Sequence, residues 1–118
     1  MTKVFEGKLA LVTGASRGIG AAIAEALGLT DGESIARLAA AVRERWDALD
    51  MLVLNAAMLG SLTPVPSIDG KEFNKLLTLN LLAQQALIAA FDPLLRKSEA
   101  GRLVAITSSV GRDPRAFW

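Results

Sequence analysis

The chain has 118 residues, 52% of them hydrophobic, and its 13 Lys and Arg against 12 Asp and Glu leave a formal net charge of +1. This length suits one domain that buries roughly two thirds of its unfolded surface. The basic residues are scattered rather than clustered, which argues against nucleic acid, and no apolar run is long enough for a membrane span.

With no signal-like or charge-block segment, the expected setting is cytoplasmic. Cys and His are both absent, which removes disulfides, thiol chemistry, most transition-metal sites and every Ser-His or Cys-His nucleophile pair. No metal is therefore expected. Tyr is also absent.

Three short apolar runs read as strands: "KLALVTG" from Lys8, "MLVLNAA" from Met51 and "RLVAITSS" from Arg102. None alternates polar with apolar, so each suits a strand covered on both faces, as in a parallel sheet between helical layers. The first strand runs into "TGASRGIG", Thr13 to Gly20, and then into the Ala-rich helix "AAIAEALG". A second helix follows almost at once. Thr30 and Glu33 form a capping box ahead of it, and Ile35, Leu38, Ala39, Val42 and Trp46 form its apolar stripe.

After the second strand, the loop "MLGSLTPVPSIDG" connects to a long helix from about Asp69. Phe73, Leu76, Leu77, Leu81, Leu87, Ile88 and Phe91 are predicted on one side of that helix, with a break or kink at Pro93. The order is strand, helix, helix, strand, helix, strand. This is an α/β chain forming a single shortened Rossmann-like, three-layer domain over residues 1–118, with a three-stranded sheet.

A strand, a Gly-rich turn and a helix N-terminus in succession make a phosphate-binding arrangement. Gly14 permits the tight turn, Gly18 lets backbone approach a pyrophosphate, and Gly20 allows close packing of helix on strand. Asn80 shares a helical face with apolar residues, where a buried amide needs hydrogen-bond partners.

"TGASRGIG" after an apolar strand resembles the cofactor turn of the short-chain dehydrogenase/reductase family. Three further motifs fall in that family's order: "LNAA" at Leu54 to Ala57, "LTLNLLAQ" containing Asn80, and "ITSSVG" containing Ser108. Asn55 matches the second Asn of the family's Asn-Asn-Ala-Gly, while two positions of that motif differ. Spacing from Gly111 selects Ser108 over Ser109 as the family's active-site serine.

The resemblance implies cofactor contacts from Gly14, Ser16, Arg17, Gly18, Ile19, Gly20, Asn55, Ala56 and Ala57, with Ser108 and Asn80 at vestigial catalytic positions. It implies NADP or NAD, with NADP slightly favoured because a basic residue at Arg17 often meets the 2′-phosphate. Asn80 would hold a backbone kink and a proton-relaying water.

Two family features are missing. Hydride transfer in the family uses a Tyr with a Lys four residues later, about a dozen residues beyond the serine, whereas this sequence stops at Trp118. Ser108 alone has too high a pKa to exchange protons near neutrality, and Lys71, Lys75 and Lys97 fall on or after the long helix, away from strand ends. An oxidoreductase by resemblance, the chain is thus expected to be catalytically incompetent, with residual nucleotide-phosphate binding. The alternative is a shortened structural or interaction module with no ligand.

The second gap is at "ALGLTDGES", where "GLTD" looks like the tail of the family's third strand joined directly to the first helix. A strand-helix-strand block is absent, and Gly28 stands where the adenine-contacting Asp would be. Asp31 and Glu33 read as a first helical turn, not as ribose-binding acids. With two intact helices in succession and three residues between them, a reach of about 10 Å, the chain is expected not to return for parallel pairing within one molecule. A homo-oligomer, in particular a domain-swapped dimer, is one outcome; an antiparallel first strand or a loosely attached first unit are the others.

Overall fold

A computed structural model describes residues 7–14 and 32–117. Strand β1 is Ala10–Val12, helix α1 Gly32–Arg45, strand β2 Met51–Leu54, helix α2 Gly70–Leu77, helix α3 Ala83–Lys97 and strand β3 Arg102–Ala105. A π turn, Thr78–Leu82, joins α2 to α3 in one continuous helix, and 3-10 turns occupy Val65–Ser67 and Ser109–Gly111. No helix among the described residues is long and apolar enough to cross a membrane.

The sheet has the order β1-β2-β3 and both pairings are parallel. Val12 lies beside Val53, and Val53 beside Val104. This corrects the expectation from chain direction, because all three strands run side by side in a single chain. That expectation kept the first helix rigid and left three residues for the return. Between Gly14 and Gly32 lie residues 15–31, a length of chain that fully extended could reach roughly 60 Å. These residues, with the first helix, the capping Thr30 and the "GLTD" junction, lie outside the described residues, and a domain swap is not needed to pair the strands.

The core forms where α1 and α3 pack together and α3 lies on β2. Ile35, Ala39 and Val42 enter it from α1, Leu52 and Leu54 from β2, and Leu87, Phe91 and Leu94 from α3. Each fully buried large side chain contributes about 1.5–3 kcal/mol. The stripe of α1 is as predicted except at Trp46, which follows the helix and is 42% exposed. On the long helix the buried line is Leu79, Ala83, Leu87, Phe91 and Leu94, whereas Phe73, Leu77, Leu81 and Ile88 are exposed. Phe73 and Leu77 belong to α2, which buries none of its residues, and in the π turn it is Leu79, not Leu81, that is buried.

Pro93 makes no break, and α3 continues to Lys97. The proline removes one N–H from the ladder, but the carbonyl it deprives belongs to Ala89, which is exposed to water. Asp69 caps α2 by accepting from the Glu72 N–H at 2.9 Å. Glu33 in the first turn of α1 and Arg43 and Arg45 in its last complement the helix dipole.

Only β2 approaches the two-sided burial expected of all three strands; β3 is exposed throughout and Val12 is 46% exposed. The described residues supply the sheet and one helical layer. The third expected layer is not among the described residues.

At the N-terminal end of the sheet, Asp50 joins the strands. Its carboxylate accepts from the Leu9 N–H at 2.8 Å and the Ser98 hydroxyl at 2.6 Å, while its backbone bonds the Leu9 carbonyl and the Arg102 N–H. The Ser98 bond first, then the Leu9 bond, holds the Asp50 carboxyl below its ordinary pKa. A depressed folded-state pKa stabilises fully above the ordinary carboxylate value, about 4, and that contribution is lost as pH falls through the lower folded value. Asp50→Asn should therefore lower the urea midpoint at pH 7, and the gap to the parent chain should shrink below about pH 4. A pH-independent gap between pH 3 and 7 would show that Asp50 acts through shape alone.

Candidate functional site

Because the strands are parallel and adjacent, their C-terminal ends share one edge. Adjacent strands lie about 4.8 Å apart, so the residues leaving β1, β2 and β3 are gathered within about 10 Å across the sheet. Thr13 and Gly14 leave β1, Asn55 to Met58 leave β2, and Ser108 follows β3.

Thr13 is the hub of this edge and is buried, with 6% exposure. Its hydroxyl accepts from the N–H groups of Asn55 at 3.0 Å and Ala56 at 3.1 Å, and donates to the Val53 carbonyl at 3.4 Å. The Thr13 N–H also reaches the Val53 carbonyl, at 3.1 Å. One side chain thus satisfies two N–H groups that β2 would leave open as it bends out of the sheet.

Gly14 turns immediately beyond, with φ +59°, and its carbonyl accepts from Asn55 Nδ2 at 2.9 Å. A Cβ at this position would lie 2.6 Å from Ala56 Cα and 2.9 Å from its nitrogen. Both the left-handed backbone and the close approach require glycine. Gly14, Asn55 and Ala56 are therefore brought together, and Ala57 follows, exposed. Ser16, Arg17, Gly18, Ile19 and Gly20 lie outside the described residues.

Asn80 has the partners its chemistry demands: Nδ2 donates to the Met58 carbonyl at 2.8 Å and Oδ1 accepts from the Met58 N–H at 2.9 Å. The residue is exposed rather than buried, a correction to the predicted face that follows from the π turn around it. Asn80 lies within that turn, Thr78–Leu82. Gln84, one turn on, donates from Nε2 to the carbonyls of Ala56 at 3.0 Å and Leu79 at 2.9 Å.

Ser108 stands at the head of the 3-10 turn, where its hydroxyl accepts from the Val110 N–H at 3.3 Å. Its described side-chain bond stays within its own loop, so it shares the sheet edge with Asn55 without being tied to it. Lys71, Lys75 and Lys97 lie on α2 and α3 and are exposed. Among the described residues, no group of three Asp, Glu, His or Cys could hold a metal ion. Beside this edge, a largely apolar cavity of about 550 Å³ is bounded by Leu59, Leu62, Val65, Ile68, Phe73 and Phe117.

Thr13 and Gln84 carry roles that the sequence motifs did not assign to them. The signal for Thr13 was a hydroxyl at the last buried position of an apolar strand, just before a turning glycine. The signal for Gln84 was an amide within an otherwise apolar stretch, one turn beyond Asn80.

Residues 26–118 match the short chain dehydrogenase family. The chain is 36% identical over 86 residues to the uncharacterized oxidoreductase YciK of Escherichia coli, covering 73% of this chain and 34% of that protein. It is 31% identical to the Escherichia coli 3-oxoacyl-acyl-carrier-protein reductase FabG, covering 91% of this chain and 57% of the reductase. That alignment runs over 140 positions against a chain of 118, so the reductase carries residues with no counterpart here. Among solved structures, a short chain dehydrogenase from Shigella flexneri complexed with NADP superposes with a TM-score of 0.70 at 36% identity, covering 74% of this chain and 36% of its own. The chain thus spans about a third to a little over half the length of these relatives. By its sequence motifs, its parallel sheet and these likenesses, the chain belongs to the short-chain dehydrogenase/reductase family.

Proposed function

We propose that these residues form the cofactor-facing part of an NADP- or NAD-dependent oxidoreductase site and that, by themselves, they bind the dinucleotide weakly and do not turn it over. The observation that carries this reading is the close approach of Gly14 to Ala56, secured by the Asn55 amide on the Gly14 carbonyl. It packs the start of the Gly-rich stretch directly against the exit of β2 with no side chain of its own, which suits a turn whose backbone N–H groups are to meet a pyrophosphate. Gly14, Asn55 and Ala56 would hold the cofactor, joined by Ser16, Arg17, Gly18, Ile19, Gly20 and Ala57, with Arg17 inclining the choice toward NADP. The NADP complex of the Shigella flexneri relative supports the same choice of cofactor.

When bound, the nicotinamide supplies or accepts hydride. Ser108 would orient a carbonyl or alcohol beyond the end of β3, and Asn80 bonds the loop leaving β2. Neither is a competent proton donor at neutral pH, and no tyrosine occurs in the 118 residues. The apolar cavity between the 59–68 loop and residues 115–117 suits the carbon skeleton of a substrate.

A second reading, a structural or interaction module, draws on the exposed apolar side chains of β1 and β3 and just beyond, Val12, Leu103, Val104 and Ile106. These would also serve self-association into a homo-oligomer.

Calorimetric titration with NADPH should give a Kd on the order of 1 mM, about −4 kcal/mol, with no consumption of NADPH when aldehydes or ketones are added. No heat of binding up to 10-fold above that level would leave the module reading. Gly14→Ala should weaken binding more than about tenfold and cost about 1–3 kcal/mol of stability through its backbone strain. Thr13→Val, which leaves the Asn55 and Ala56 N–H groups without their buried acceptor, should cost about 2–4 kcal/mol in urea unfolding. A cost below about 0.5 kcal/mol would show that water replaces the hydroxyl.

A further inference from the structure

Between Leu77 and Ala83 the helix widens, and the Ala83 N–H donates to the Thr78 carbonyl five residues back. Such a turn is less favourable than a regular α-turn and occurs mostly as a single insertion. Here its Leu79 carbonyl accepts from Gln84 Nε2, and the same nitrogen reaches the Ala56 carbonyl at the exit of β2. Both protons of the Gln84 amide are consumed, one inside the widened turn and one across to the strand. Its Oε1 is buried and has no hydrogen-bond partner among the described residues.

An unpartnered buried amide oxygen is costly. Methionine has nearly the same shape and would avoid that cost, so the two donations are what glutamine supplies. Asn80 lies inside the same turn and bonds Met58, two residues from Ala56. Two amides on one helix thus hold the loop leaving β2 at two points.

We propose that Gln84 is a positioning residue that stabilises the π turn and, through it, sets Asn80 against Met58. The proposal rests on the functional reading above only for the role of Asn80; the mechanical claim stands on the hydrogen bonds. Without the Gln84 donor, the Leu79 carbonyl is free to take a backbone N–H in a regular turn. That re-registration would swing Asn80 away from the loop.

The test is amide hydrogen exchange in the full chain, parent against Gln84→Met. The reading is the Met58 N–H, which donates to Asn80, relative to Phe91 in the core of α3, which reports global opening. The expected result is a rise of at least about tenfold in Met58 exchange relative to Phe91. Unchanged relative exchange, with both amides accelerated alike or neither affected, would reduce Gln84 to a packing residue and overturn the proposal. Should Gln84→Met fail to fold, the unmodified chain decides: through-hydrogen-bond NMR couplings from Gln84 Nε2 to the Leu79 and Ala56 carbonyl carbons are expected, and their absence overturns it. A null NADPH titration alongside the Met58 effect would remove the cofactor reading and leave this one standing.

Discussion

The arrangement depends on β2 being paired in parallel on both edges within one chain. Parallel pairing brings three C-terminal strand ends to one side, and everything with chemical character follows from that: the turning Gly14, the Asn55 amide that holds it, and the Ser108 loop. The register is pinned at both ends by polar side chains. Asp50 gathers Leu9, Ser98 and Arg102 at the N-terminal edge, while the Thr13 hydroxyl gathers Val53, Asn55 and Ala56 at the other. A one-residue slip would break both sets and turn Leu52 and Leu54 out of the core.

The helical side is fixed with similar economy. The line from Leu79 to Leu94 buries against α1 and β2, and the π turn at its start lets Asn80 leave that line to serve the loop. Leu79 and Ala83 face the core, while Asn80 and Gln84, one position on from each, bond the Ala56–Met58 segment. The widened turn and the candidate site thus share residues.

The three strands, a helix between each consecutive pair of them and the family were legible because they depend on local patterns: apolar runs, helical periodicity and the spacing of Asn55, Asn80 and Ser108. Chain direction was not. Two rigid helices joined by Gly28 to Thr30 would not bring the chain back, yet the connection that the sheet requires runs from Gly14 to Gly32, the positions β1 and α1 hold. The faces of the long helix were misread because a periodic count assumes packing along its whole length, whereas α2 buries none of its residues and the buried line begins at Leu79 in the π turn. Thr13 escaped notice because its value lies in residues some forty positions away, which bend out of the sheet only once the strands have paired.

The account is tested most directly by asking whether β1 and β2 of one sheet come from the same molecule. Equal amounts of isotope-labelled and unlabelled chain are unfolded together, refolded, and examined by isotope-filtered NMR for contacts between the Val12 and Val53 methyl groups, which are neighbours in the register. Contacts confined to labelled molecules are the predicted result. Contacts crossing from labelled to unlabelled chains would show that the strands pair between molecules, and the single-chain edge on which the site is built would not exist.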